Sequence, residues 1–331
     1  METFGFVVHT VSLDEFRKFW NIPRFIPDFL LYQLLKAIPP FKLSEIKEFS
    51  LNGSKSIKGY LIGCPLLPQQ LVKLNPNFAY KRVLQSVKVA EKLNAKIVGL
   101  GGYTSIVANK GVDIAKKVKS AVTSGNCLTA WSAVEAILQS LREKDTKSLT
   151  LAVIGASGSI GSLCARKLSY SFGKVILTAR NKGRLEKLQE EIRKTNYIDV
   201  SISLDIQETI KKADAIIVTT SSPEALIDIN TLKSGAVICD ISIPKNISDD
   251  KKREDVKIIQ GGLIKLPIDI DFGIKTGLPN GVIFGCIAET ILLTLEGNFT
   301  NYSLGDNIEL SKMDFIGHTA KKYKFEPYLG N

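Results

Sequence analysis

Residues 149–180 read LTLAVIGASGSIGSLCARKLSYSFGKVILTAR, and the reading of this stretch decides the fold. The apolar run 149–154 is long enough for one buried parallel strand and leads straight into Gly155, Gly158 and Gly161. A helical pattern follows (Ile160, Leu163, Cys164, Lys167, Leu168), and then a second apolar run at 174–178. Strand, glycine turn, helix and strand within about 30 residues is the setting that gives a glycine triplet meaning. The glycines let the backbone turn tightly and let a pyrophosphate approach the N–H groups at the helix start. The spacing is G-x-x-G-x-x-G rather than G-x-G-x-x-G, a form associated with NADP-using dinucleotide folds. The alternative is a tight turn with no ligand.

The end of the second strand selects the dinucleotide. NAD-specific folds place an acid there for the ribose 2′-hydroxyl, whereas an Arg accommodates a 2′-phosphate. Here the strand ends Thr178-Ala179-Arg180-Asn181, with Lys182 and Arg184 beyond and no acid before Glu186. A guanidinium binds the extra phosphate with two parallel hydrogen bonds, and a carboxylate would repel it. NADPH is therefore the expected cofactor. Its expected binding set is Gly155, Ser157, Gly158, Ser159, Ile160, Gly161, Thr178, Arg180, Asn181, Arg184, Thr219, Thr220 and Ser221, with Arg180 leading at the 2′-phosphate. The bland reading of Arg180 and Arg184 is a solvated helix start.

The rest of the chain reads as an α/β protein. After Arg180 come a charged helix at 182–194 and strands near 199–204, 214–221, 236–242 and 256–262, the alternation of a doubly wound sheet. These strands predict the order 1-4-5-6 for its right half. Before residue 149 the expectations are a strand at 4–11, a hairpin turning near Asn52-Gly53, helices at 68–74 and 77–93, and a strand at 96–101. A helix starting at Thr123-Ser124-Gly125-Asn126 and running to Leu141 follows, with 142–148 as linker. Prolines bracket an apolar helix within 22–41, read either as a core-facing cap or as a lip for a fatty chain touching a membrane surface. The expected architecture is a Rossmann-type doubly wound parallel sheet plus an N-terminal α/β substrate domain completed by C-terminal helices. Its expected boundaries are 1–146, 147–262 for nucleotide binding, and 263–331, a C-terminal segment with helices at 287–297 and 308–321 that packs back on the first domain.

Composition narrows the function. No stretch approaches the roughly 18 uninterrupted apolar residues of a spanning helix, and no secretory signal is visible, so a cytoplasmic protein is expected. A net charge of +11 with lysines spread along the chain, and no nucleic-acid motif, favours acidic or phosphorylated partners over nucleic acid. Five scattered cysteines without a C-x-x-C pair indicate neither disulfides nor a zinc site, and no metal is expected. The two histidines, His9 and His318, have no acid or serine nearby in a triad pattern and read as structural.

Small and hydroxyl residues after a strand line the carboxyl edge where α/β proteins bind ligands. This makes Tyr103, Thr104 and Ser105, and the segment 123–126, candidates for a substrate pocket, although such residues also cap helices. Cys286 follows Gly285 at the front of an apolar helix, where N–H groups and the helix dipole stabilise a thiolate. Buried cysteine is more often an inert small hydrophobe, the reading given to Cys164 and Cys239, while Cys64 and Cys127 are the rival candidates.

Together these residues resemble the long-chain acyl-[acyl-carrier-protein] reductases of cyanobacteria. The resemblance spans nearly the whole chain: FGFVVHTVSLDEF at 4–16, LGGYTSI at 100–106, TSGN at 123–126, VIGASGSIG at 153–161, LTARN at 177–181, DID at 269–271 and FGCIAE at 284–289. The family's nucleophilic cysteine maps to Cys286. The resemblance implies reduction of a fatty acyl thioester to fatty aldehyde through a cysteine acyl-enzyme, with NADPH as hydride donor and acyl carrier protein as acyl donor. Acyl-CoA is a second possible donor, and an aldehyde-consuming enzyme a further partner. Backbone N–H groups near Gly285 or the hydroxyls of Tyr103, Thr104 and Ser105 are the candidates for the oxyanion site, and Tyr103 and Thr104 are the candidates for the general acid. Helix 25–41 departs from the family in length and composition. Two other functions remain open at this point: a shikimate-dehydrogenase-like NADP-dependent reductase of a small carbonyl, and a non-catalytic NADPH-binding protein.

Overall fold

The computed structural model describes residues 1–51, 53–220, 227–242, 245–247 and 253–330. The chain forms two compact units. One holds Met1–Gly125 and Pro267–Gly305, and the other holds Asn126–Leu266 and Asp306–Asn331.

The first unit is built on β1 (Glu2–His9), β2 (Phe41–Phe49), β3 (Ile57–Cys64), β4 (Ile97–Leu100) and β5 (Ala121–Thr123), in the order β2-β3-β1-β4-β5. β2 and β3 are the antiparallel pair of the expected hairpin, with Glu45 opposite Tyr60; Asn52 lies outside the described residues. The other neighbours run parallel, with Phe4 on β1 beside Ile97 on β4. Asn75 caps helix Pro76–Lys92 by accepting the N–H of Asn77 at 2.9 Å, and Pro76 suits its first position. Its Ala79, Val83, Val87 and Ala90 recur at helical spacing and pack against the sheet. Burying each of the two valines stabilises the fold by about 1.5–3 kcal/mol.

Helix Gly285–Leu295 lies close to the same sheet. A side chain at Gly99 of β4 would stand 2.1 Å from Thr290 Oγ1 and 2.5 Å from the Phe6 ring, so only glycine permits the approach. Helix Asp28–Ala37 follows Pro27 and buries Leu31 and Leu35, while Phe25, Phe29, Leu30 and Leu34 stay exposed.

The second unit carries β6 (Thr150–Ile154), β7 (Lys174–Thr178), β8 (Asp199–Ser203), β9 (Ala215–Val218), β10 (Val237–Asp240) and β11 (Lys257–Gln260). All pair parallel, in the order β11-β10-β9-β6-β7-β8. Counted from β6 this is the 3-2-1-4-5-6 sheet of the doubly wound fold, and its right half has the predicted order. The order reverses between β6 and β9, which opens the crevice where such sheets bind ligands.

The units are cut differently from the sequence boundaries. Helix Asn126–Ser140 belongs with the nucleotide-type sheet, and the C-terminal segment divides. Residues 267–305 join the first unit and 306–331 the second. There helix Leu310–Lys322 sets Gly317 against the Trp131 indole, and Asp314 pairs with Lys167 at 2.5 Å. No described helix is long and apolar enough to cross a membrane.

Candidate active site

In the second unit the glycine turn is held by its own sheet. Gly155 has φ +83°, a left-handed backbone that glycine adopts without strain. Its N–H donates to Thr178 O at 2.7 Å, and Thr219 Oγ1 donates to Ile154 O at 3.0 Å. A Cβ on Gly155 would stand 2.7 Å from Thr219 Oγ1, and one on Gly161 would stand 2.4 Å from Gly155 O. Gly158 differs: a Cβ there would meet only Gly155 O, at 3.3 Å, so this side of the turn is open.

Gly158 is also the N-cap of helix Ser159–Leu168 and gives it no side-chain acceptor. The first N–H groups of a helix lack internal partners, and an anion is what satisfies them. An open glycine face beside an uncapped helix start fits the pyrophosphate of a dinucleotide. Ser157, Gly158, Ser159 and Ile160 line that start.

At the end of β7, Arg180 is exposed, and its side chain makes no ion pair among the described residues. Arg184 reaches Asp306 at 3.3 Å. Asn181 caps helix Lys182–Thr195, its Oδ1 accepting the N–H of Arg184 at 3.0 Å. Thr178 is buried, its hydroxyl 3.1 Å from that of Thr209, so it supports the turn through its backbone. Thr219 likewise acts as a brace, and Thr220 donates to Asn246 Oδ1 at 3.1 Å. Ser221 lies outside the described residues.

The first unit holds the second cluster, and exposure separates the five cysteines. Cys64, Cys127, Cys164 and Cys239 are buried; Cys286 alone is partly exposed. Burial pushes the Cys239 thiol up to about 12 and the Cys64 thiol up to about 11, and it raises Cys164 as well. Cys286 is the second residue of helix Gly285–Leu295, whose start has no side-chain cap. Its sulfur accepts the N–H groups of Ile287, Gly102 and Cys286 itself. Desolvation of the sulfur outweighs these donors and, with a smaller push from the Glu289 carboxylate, holds the thiol up at about 11.

Three glycines and a carboxylate fix this pocket. Gly125 has φ +76°, and a Cβ there would lie 2.1 Å from the Cys286 Cα, so residue 125 rests directly on the cysteine backbone. The Gly125 N–H donates to Thr123 Oγ1 at 3.3 Å, and Thr123 donates to Glu289 Oε1 at 2.5 Å. Ser303 donates to the same oxygen at 2.7 Å, and Ser124 donates to Ser303 O. Fully buried Glu289 thereby ties the 123–125 turn to the helix that carries Cys286.

Gly101 and Gly102 extend from β4. Thr104 is buried and gives its hydroxyl to Gly101 O at 2.8 Å, and Ser105 gives its own to Gly102 O at 2.7 Å. Both hydroxyls are spent within the turn. Tyr103 meets the His9 ring edge-on at 5.7 Å, and burial raises its phenol. A Cβ on Gly102 would stand 2.6 Å from His9 Nε2. His9 and Glu289 are the pocket residues to which sequence reasoning gave no role. The signal for His9 was its place at the end of β1, beside the carboxyl end of β4. Among the described residues, no group of three or more His, Cys, Asp or Glu side chains is placed to hold a metal ion.

A family model for shikimate / quinate 5-dehydrogenase matches residues 135–260. The chain is 32% identical to the long-chain acyl-[acyl-carrier-protein] reductase of Synechococcus elongatus, covering 98% of both chains. It is 30% identical to the aminotransferase PigE of a Serratia species, over 75% of this chain and 30% of that protein. Among solved structures, the nucleotide-binding domain of Thermoplasma volcanium glutamyl-tRNA reductase is 22% identical, with a TM-score of 0.30, covering 38% of this chain and 84% of that one.

Proposed function

The chain belongs to the long-chain acyl-[acyl-carrier-protein] reductase family, and from that premise we propose that it reduces a long-chain acyl thioester to the aldehyde through an acyl group carried on Cys286. It is an oxidoreductase, and NADPH is its cofactor. The observation that carries the reading is the exposure of Cys286, alone among five cysteines, at a helix start whose N–H groups converge on its sulfur.

The first unit is the acyl domain in this reading. The Cys286 sulfur attacks the thioester carbonyl, the acyl group moves to the enzyme, and the carrier leaves as its free thiol. With the Thr104 and Ser105 hydroxyls committed to carbonyls and the Cys286 and Ile287 N–H groups turned to the sulfur, the oxyanion falls in this reading to the backbone N–H at Gly285. An apolar groove of about 490 Å³, lined by Trp20, Ile22, Ile26, Leu30, Leu31 and Leu34, supports a fatty chain as the acyl group. The net charge of +11 suits an acidic acyl carrier protein, with the anionic acyl-CoA as second donor.

The second unit holds the dinucleotide. Ser157, Gly158, Ser159 and Ile160 would receive the pyrophosphate, and Arg180 the 2′-phosphate. When bound, NADPH supplies the hydride that converts the acyl group to the aldehyde and frees the thiol.

The test is mass spectrometry of the protein incubated with a long-chain acyl-CoA and no NADPH. The expected result is a single acyl addition on Cys286, absent from Cys286→Ala. Aldehyde formation by Cys286→Ala at the wild-type rate would overturn the acyl-enzyme in favour of direct hydride transfer, and turnover of a small carbonyl with none of the thioester would favour the shikimate-dehydrogenase-like reading.

A further inference from the structure

The Cys286 thiol poses a problem that its own helix does not solve. Held up at about 11, it is almost wholly protonated near neutral pH, and the thiolate is the nucleophile. Acyl transfer therefore needs a group to take the thiol proton as sulfur attacks. The obvious carboxylate is unsuited. Glu289 Oε1 already accepts from Thr123 and Ser303, and its charge raises the thiol further.

His9 meets the requirement from another strand. It closes β1, the strand beside β4, and Gly102, two residues beyond β4, lies against both its imidazole and the sulfur. The Gly102 N–H donates to Cys286 Sγ, while the Gly102 α-carbon faces His9 Nε2 closely enough that a Cβ would stand 2.6 Å from it. The tautomer is fixed chemically. His9 Nδ1 lies 3.0 Å from Thr10 O, a carbonyl that can only accept, so Nδ1 carries the proton and Nε2 keeps its lone pair. Desolvation outweighs the Thr10 carbonyl and lowers the imidazole pKa, which keeps the ring neutral and able to accept.

The titratable groups around the ring do not compete for the proton. Tyr103 meets it edge-on with its phenol raised by burial, and Cys64 stands opposite on β3 with its thiol up at about 11. No carboxylate contributes to the His9 shift among the described residues.

We propose that His9 is the general base of the acyl-transfer half-reaction, an inference that rests on the Cys286 reading above. As Cys286 sulfur forms its bond to the acyl carbon, the thiol proton passes to His9 Nε2, directly or through one water. When the bond between that carbon and the carrier sulfur breaks, Nε2 returns the proton to the departing thiolate. One thioester is exchanged for another, so no oxidant or reductant is consumed.

The experiment measures the rate of acyl addition to Cys286 from a long-chain acyl-CoA, by mass spectrometry without NADPH. It compares the full wild-type chain with His9→Gln and His9→Ala. Expected is a drop of about 10²–10⁴-fold in both variants with NADPH binding and melting temperature kept. Added imidazole should restore the rate in His9→Ala, a rescue that a merely structural histidine would not show. Acylation of His9→Gln at the wild-type rate, or a slowed His9→Ala that imidazole does not rescue, overturns the proposal and leaves the acyl-enzyme reading standing. Absence of any adduct on wild-type Cys286 overturns both.

Discussion

The nucleotide turn and the cysteine pocket solve one problem in opposite directions. Both sit at the carboxyl ends of parallel strands, and both use a left-handed glycine and a helix start without a side-chain cap. At Gly158 the backbone leaves open space beside a helix start with no side-chain cap, the setting proposed above for the cofactor's phosphates. At Gly125 the backbone closes on Cys286, so the N–H groups turn to a sulfur the chain supplies itself. The difference lies in what fills the space above the helix start. On the proposed reading, the open start receives a phosphate and the filled one presents the nucleophile. Desolvation in the filled site also holds its thiol up, which is the reason a base is proposed there and not at the open one.

The strongest way to break this comparison is to remove the sulfur. Cys286→Ala should lower thioester reduction by about 10³-fold or more while NADPH still quenches or shifts the protein fluorescence as in wild type. A paired glycine test comes next. Gly155→Ala forces a Cβ against Thr219 at φ +83°, and strain on the order of 1–3 kcal/mol should weaken NADPH binding about 10–100-fold with acyl addition intact. Gly125→Ala should do the reverse, slowing acyl addition with NADPH binding kept, because its Cβ would collide with Cys286. If both variants lose both properties, the two sites are not separable.

Arg180→Ser should narrow the preference for NADPH over NADH by about 10-fold, the worth of one charged hydrogen bond to the 2′-phosphate, read from kcat/KM with each cofactor. The smallest effect concerns the thiol itself. Alkylation of Cys286 by iodoacetamide should be slow at pH 8 and rise through about 11, later than an ordinary thiol. Glu289→Gln removes a negative charge that raises the thiol, so it should move that rise to lower pH.

Much of this was legible in sequence where the cause is local. The glycine turn, the apolar strands about it and the exposed Arg180 follow from residues within one strand–helix–strand unit, and the sheet order follows from alternation of strand and helix. Sequence shows a hydroxyl but not its direction. Thr178 turns to Thr209, and Thr104 to Gly101. His9 was read as structural; the group it is proposed to serve lies at residue 286, and only the fold brings β1 and helix Gly285–Leu295 to one place. Helix Leu310–Lys322 was assigned to the first domain because its apolar face names no partner; Trp131 and Lys167 supply one in the nucleotide unit.

The most direct test of the central claim is a chase. Enzyme first acylated in the absence of NADPH, then freed of excess thioester, is mixed with NADPH while the mass of the Cys286 peptide and the aldehyde are followed together. The account predicts that the adduct disappears as one equivalent of aldehyde forms. An adduct that persists while aldehyde is made from fresh thioester would contradict it.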